Sequence, residues 1–93
     1  MASIEPEEFK LLLDQHYVWP AEYMFKFIVK ADLSQEIVAL EAVFATLNLI
    51  EKTSRTSHGG KYIAFSVRAM MSSSDDVISV YEKVYEIEGV VSL

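Results

Sequence analysis

Gly59-Gly60 stands between two runs with the composition of strands, Leu49 to Ser57 and Lys61 to Met71. A tight reversal needs backbone at positive φ, which glycine reaches without a Cβ clash, so the pair predicts a β-hairpin. The run after the turn alternates with a period of two. Ile63, Phe65, Val67 and Ala69 point one way, and Tyr62, Ala64, Ser66, Arg68 and Met70 the other, the pattern of a strand with one buried and one wet face. The run before the turn is polar on both faces from Lys52 to Ser57. Its register stays open: a two-residue turn puts Arg55 on one face, and a three-residue turn reverses it.

The remaining segments fall into place around that hairpin. Residues 4–16 read as a helix, with Ser3 as cap, Pro6, Glu7 and Glu8 in the first turn, and Phe9, Leu12, Leu13 and His16 along one side. Trp19-Pro20 ends it, because proline pushes its predecessor into extended backbone. Tyr23 to Ala31 is a strand, with Tyr23, Phe25, Phe27, Val29 and Ala31 on one face and Met24, Lys26, Ile28 and Lys30 on the other. Ser34 is suited to cap a helix from Gln35 to about Leu47, whose stripe is Ile37, Leu40, Phe44 and Leu47. After the hairpin, Ser72-Ser73-Ser74 leads with a serine cap into a helix that has Asp75 and Asp76 at its positive end and Val77, Val80, Tyr81, Val84 and Ile87 inward. Gly89 stops this helix, and Val90 to Leu93 forms a last strand.

The order is one helix followed by β-α-β-β-α-β. This predicts an α+β fold of ferredoxin-like type: a four-stranded antiparallel sheet with two helices on one face, over residues 19–93, preceded by a helical extension over residues 1–18. The second face of such a sheet is bare unless the N-terminal helix or a partner covers it.

Ninety-three residues that are 52% hydrophobic suffice for one domain with its own core. The sequence has no cysteine, which excludes disulfides, thiolate metal sites and thiol chemistry and suits a cytoplasmic protein. The apolar runs are too short to span a bilayer, and the acidic start Met1 to Glu8 lacks the apolar region of a signal peptide. A net charge of −6 argues against general nucleic-acid binding, which depends on basic residues meeting phosphates.

No catalytic constellation is visible, and the expectation is a protein that is not an enzyme and uses no cofactor. His16 and His58 lie on different elements, not at the close spacing of a metal site. The serines stand in no nucleophile elbow. Gly59-Gly60 does not join a strand to a helix, so it is no phosphate-binding loop. Tyr81 and Tyr85, four apart, read as helix packing.

The informative pattern is electrostatic. Lys26, Lys30, Lys52, Arg55, Lys61 and Arg68 lie on the first three strands or their hairpin, while most carboxylates lie on or beside helices. The molecule is therefore expected to be polarised, with Lys26, Lys30 and Arg68 on the open sheet face. That face would receive an acidic protein partner, a second copy of the chain, or the chain's own acidic N-terminal helix. Arg55, Ser57, Lys61 and Tyr62 make the hairpin tip a second candidate contact. Tyr62 alone does not reproduce the aromatic pairs with which open sheets stack RNA bases.

The segments Trp19-Pro20-x-x-Tyr23-x-Phe25-Lys26-Phe27 and Ser57-x-Gly59-Gly60-Lys61-Tyr62, with the strand after Gly89, resemble the YbeD-like family of small bacterial proteins over roughly residues 19–93. The resemblance implies an ACT-like, ferredoxin-like domain in a bacterial cytoplasm, with a regulatory or small-ligand-binding role as the analogy of fold. Amino-acid-binding ACT domains use a glycine after the first strand. Here that loop is Asp32-Leu33-Ser34, which favours a protein-interaction module over a ligand sensor.

Overall fold

The computed structural model describes residues 5–93. Its elements are α1 (Pro6–His16), β1 (Ala21–Lys30), α2 (Ser34–Phe44), β2 (Asn48–Thr56), β3 (Tyr62–Met71), α3 (Ser74–Tyr85) and β4 (Val90–Ser92). The four strands form one antiparallel sheet in the order β2-β3-β1-β4. This α+β arrangement of one sheet and three helices is consistent with a ferredoxin-like fold.

The alternation in the central strands sets the layers. Phe25, Phe27 and Val29 of β1 and Phe65, Val67, Ala69 and Met71 of β3 are buried. Leu40 and Phe44 of α2 and Val77, Val80 and Val84 of α3 close over them. Phe27 lies between the two helices, with its ring centroid 5.9 Å from that of Phe44 and 6.0 Å from that of Tyr81.

α1 joins the helical layer and not the bare sheet face. Leu13 enters the common core, and the Phe9 ring lies 5.6 Å from Tyr81. Lys10 Nζ donates to the Oγ of Ser74, which is buried at the start of α3, over 3.0 Å, and lies 3.3 Å from Asp75. The Ser3 cap lies outside the described residues; the helix starts after Glu5, whose side chain makes no capping bond.

The serine caps are redistributed. Ser34 is the first helical residue of α2, and Leu33 takes the cap position without a side-chain bond. Packing of Leu33 outweighs a capping hydrogen bond here: Leu33 lies against the core cluster, and Gly89, at φ +82, leaves its Cδ1 the space that a Cβ would enter at 2.7 Å. In α3 the cap is Ser73, whose Oγ accepts from the Asp76 N–H at 3.2 Å. α2 also ends at Phe44 instead of Leu47, where Thr46 turns its hydroxyl back to the Val43 carbonyl.

The hydroxyls of Tyr23 and Tyr81 are hydrogen-bonded over 2.9 Å between β1 and α3. Burial is the first cause that raises both phenol pKa values above the ordinary 10.0. Because the folded values lie above the unfolded one, the stabilisation is fully present below pH about 10 and is lost as pH rises through the folded values. Urea midpoints are thus expected to fall above pH about 10 and to fall less steeply in Tyr81→Phe. An identical slope in the variant would contradict this assignment.

Candidate functional site

The hairpin decides which side chains share the bare face. Ser57 N–H donates to the Tyr62 carbonyl at 2.8 Å, Gly60 N–H to the Ser57 carbonyl at 2.9 Å, and Tyr62 N–H to Ser57 Oγ at 3.0 Å. The loop is therefore His58–Lys61, longer than either turn expected from the sequence, with Gly59 at φ 91 and Gly60 at φ 77. Its even length gives the same facing as a two-residue turn. Arg55 pairs with Ala64, and Thr53 with Ser66, so both lie on the face opposite the helices. Ser57 is engaged in closing the hairpin and is not a free contact.

The same register removes Lys52 from the open face. Lys52 pairs with Val67, on the helix side, and forms an ion pair with Glu41 of α2. Glu51 pairs with Arg68 across a register shift between Leu49 and Glu51.

The open face divides into two zones. At one end Arg68 is held between two carboxylates, Glu51 at 3.4 Å and Glu22 at 3.5 Å, so that end carries no excess positive charge. Arg68 Nε is buried without a hydrogen bond, its contact with Glu22 being an ion pair without hydrogen-bond geometry. At the other end Lys26 pairs with Ser66, Ile28 with Ala64 and Lys30 with Tyr62. Lys26, Lys30, Arg55 and Lys61 have no ion pair among the described residues. With strands about 4.8 Å apart and side chains on one face about 6.8 Å apart, Arg55 stands roughly 12 Å from Lys26 and from Lys30. The small residues Ala64 and Ser66 lie between them, with Ile28 alongside. The result is a cationic rim on a shallow floor. Of the residues singled out from the sequence, Lys26, Lys30, Arg55, Lys61 and Tyr62 meet at this end, and Arg68 does not.

Beside the rim, the loop after β1 meets the hairpin where Ala31 N–H donates to the Lys61 carbonyl at 2.9 Å. An open groove of about 640 Å³ lies there, lined by Lys30, Ala31, Asp32, Gly60, Lys61 and Tyr62. Gly60 leaves open space where a Cβ would stand.

No cluster of three or more His, Asp or Glu side chains with metal-binding geometry occurs among the described residues. His16 ends α1, and His58 lies in the hairpin loop. Among the described residues no helix is long and apolar enough to cross a membrane. The acidic partners of Arg68 were the main omission from the sequence reading. Glu22 was recoverable by extending the β1 alternation two residues back from Met24. Glu51 was not, because the register shift at Leu49–Glu51 decides its face.

The sequence model of a family described as "Protein of unknown function (DUF493)" matches residues 14–93. An uncharacterized protein from Thermotoga maritima has a similar solved structure, with a TM-score of 0.65 and 11% identity, over 77% of this chain and 90% of that one. At that identity the likeness concerns the fold alone. No curated protein matches the sequence.

Proposed function

The chain belongs to the DUF493, or YbeD, family of proteins of unknown function, and for this member we propose a non-enzymatic, cytoplasmic interaction module that docks an acidic protein surface on its open sheet face. The observation that carries the proposal is the set of cations without an ion pair among the described residues: Lys26, Lys30 and Arg55 on a face that α1 leaves bare, with Lys61 in the adjoining hairpin loop. The protein as a whole has net charge −6, yet three of these cations share one end of one face and the fourth stands in the hairpin loop beside it. Their mutual repulsion is relieved when carboxylates arrive, and a local positive field on an acidic protein favours one docking orientation. Exposed Met24 and Tyr62 add apolar area around the rim. The test is capture of partners from native lysate by the wild type and by a variant with Lys30→Glu and Arg55→Glu. The same proteins retained at the same level by both would remove the proposal.

A second reading, a domain that senses a small ligand as ACT domains do, is favoured by the groove between Asp32 and Gly60. Under it, an amino acid or related small acid raises the thermal midpoint saturably, and Asp32→Ala abolishes the rise. Absence of any saturable shift across such a panel leaves the docking reading alone.

A further inference from the structure

β2 is an edge strand, at the end of the order β2-β3-β1-β4. It runs for nine residues, all exposed, and contains no proline. Ser57 N–H donates to the Tyr62 carbonyl, and Arg55 pairs with Ala64 and Thr53 with Ser66 in the same phase. The backbone of the odd positions from Glu51 to Ser57 is therefore engaged with β3, and the N–H and C=O groups of Lys52, Ser54 and Thr56 point out of the sheet. An open row of this kind is a template for a further strand. The register shift between Leu49 and Glu51 lies before that row and leaves it straight.

The side chains along the row select the strand. Glu51, Thr53 and Arg55 follow one another on the open face. Glu51 holds Arg68 through one carboxylate oxygen, and Arg55 has no ion pair among the described residues. The sequence carboxylate, threonine, guanidinium is self-complementary. Lay a second β2 antiparallel beside the first with Thr53 on the twofold axis, and Glu51 of each copy stands opposite Arg55 of the other. Cross-strand pairs of opposite charge and of threonine with threonine are favourable, and like charges directly opposite are not. Neighbouring registers lose this match. A shift by two residues one way sets Lys52 against Lys52. The same shift the other way sets Arg55 against Thr53 and forfeits both charge pairs. On the helix side each Lys52 keeps its own Glu41. We propose that the open edge of β2 pairs with β2 of a second copy of this chain, Thr53 against Thr53 and Glu51 against Arg55, to form a continuous eight-stranded antiparallel sheet. This is separate from the docking reading, because Lys26, Lys30 and Lys61 take no part in it.

The test uses the whole chain, which has no cysteine of its own. Thr53→Cys and Thr56→Cys are compared in a glutathione redox buffer. The Cα atoms of a cross-strand pair that is not hydrogen-bonded stand about 4.5 Å apart, within disulfide reach, whereas the two Thr56 positions lie about 20 Å apart in this register. Thr53→Cys is expected to form a covalent dimer and Thr56→Cys is not. Sedimentation of the wild type at high micromolar concentration is expected to show a species of twice the 10.6 kDa chain mass. Ser54→Pro removes an outward N–H and spares the ladder to β3, so it should sediment as a monomer. Arg55→Glu should weaken the dimer by at least about tenfold, since it sets like charges opposite each other twice. A monomeric wild type, a dimer unchanged in Ser54→Pro or in Arg55→Glu, or cross-linking of Thr56→Cys as fast as that of Thr53→Cys would each overturn the proposal. Ser54→Pro leaves every rim cation in place and Lys30→Glu leaves the edge intact, so loss of the dimer and loss of an acidic partner are read separately.

Discussion

Phe27→Ala is expected to lower the free energy of unfolding by about 3–5 kcal/mol. Phe27 has no exposed surface, and its ring contacts Phe25, Phe44 and Tyr81, so it ties the sheet to both covering helices. Truncation leaves a cavity that neither helix fills without abandoning its contacts on the neighbouring strand. Domains of this size are stable by about 5–15 kcal/mol in total, so the variant loses a large part of its margin. At roughly 4–8 °C per kcal/mol the thermal midpoint falls by at least about 12 °C. Val38→Ala is the control. Val38 is on α2 but 69% exposed, and its truncation should change stability by no more than about 0.5 kcal/mol. Equal losses in the two variants by urea denaturation would show that the layers are not packed as described.

Lys30→Glu with Arg55→Glu is expected to weaken binding of the acidic partner by at least about tenfold while leaving the fold intact. The four rim cations sum to +4, and the double substitution brings the same four positions to zero, since two lysines are then balanced by two glutamates. Neither residue has an ion pair among the described residues, so the unfolding free energy should change by no more than about 0.5 kcal/mol. The wild-type complex should also weaken with salt, as the screening length falls from about 10 Å at 0.1 M to about 3 Å at 1 M. Arg68→Glu is a poor probe by comparison. It would place a third carboxylate between Glu22 and Glu51 and disturb the sheet itself. Titration calorimetry with a captured partner measures both effects, and salt-independent affinity would contradict an electrostatic interface.

The fold was readable wherever side-chain alternation and core burial coincide. Phe25, Phe27 and Val29 on one strand and Phe65, Val67 and Ala69 on another announce a period of two, and every one of them is buried. β2 lacks that signal. All its residues are exposed, so no hydrophobic set fixes its facing, and the four-residue hairpin loop had to decide it. The facing of β2 in turn settled the charge pattern: it brings Arg55 to the open face, sends Lys52 to Glu41, and lays Glu51 beside Arg68. A list of basic residues by strand could not separate these three outcomes. The position of α1 was undetermined for a related reason. Its apolar stripe fits either side of a sheet, and the choice rests on Leu13 entering the core and on the bond from Lys10 to the buried Ser74. The cap of α2 differed for the same physical reason, since a leucine that packs well displaced a serine that could have capped, while α3 kept a serine cap.

The central claim is that contact occurs on the open sheet face, around the cationic rim. A photo-reactive amino acid at Ser66, between Lys26 and Thr53 on that face, compared with one at exposed Val38 on α2, tests it most directly in living cells. The account predicts a discrete cross-linked partner from the Ser66 position that disappears when Lys30→Glu and Arg55→Glu are added, and none from the Val38 position. A partner cross-linked from Val38 but not from Ser66, or one from Ser66 that persists in the charge-reversed background, would contradict it.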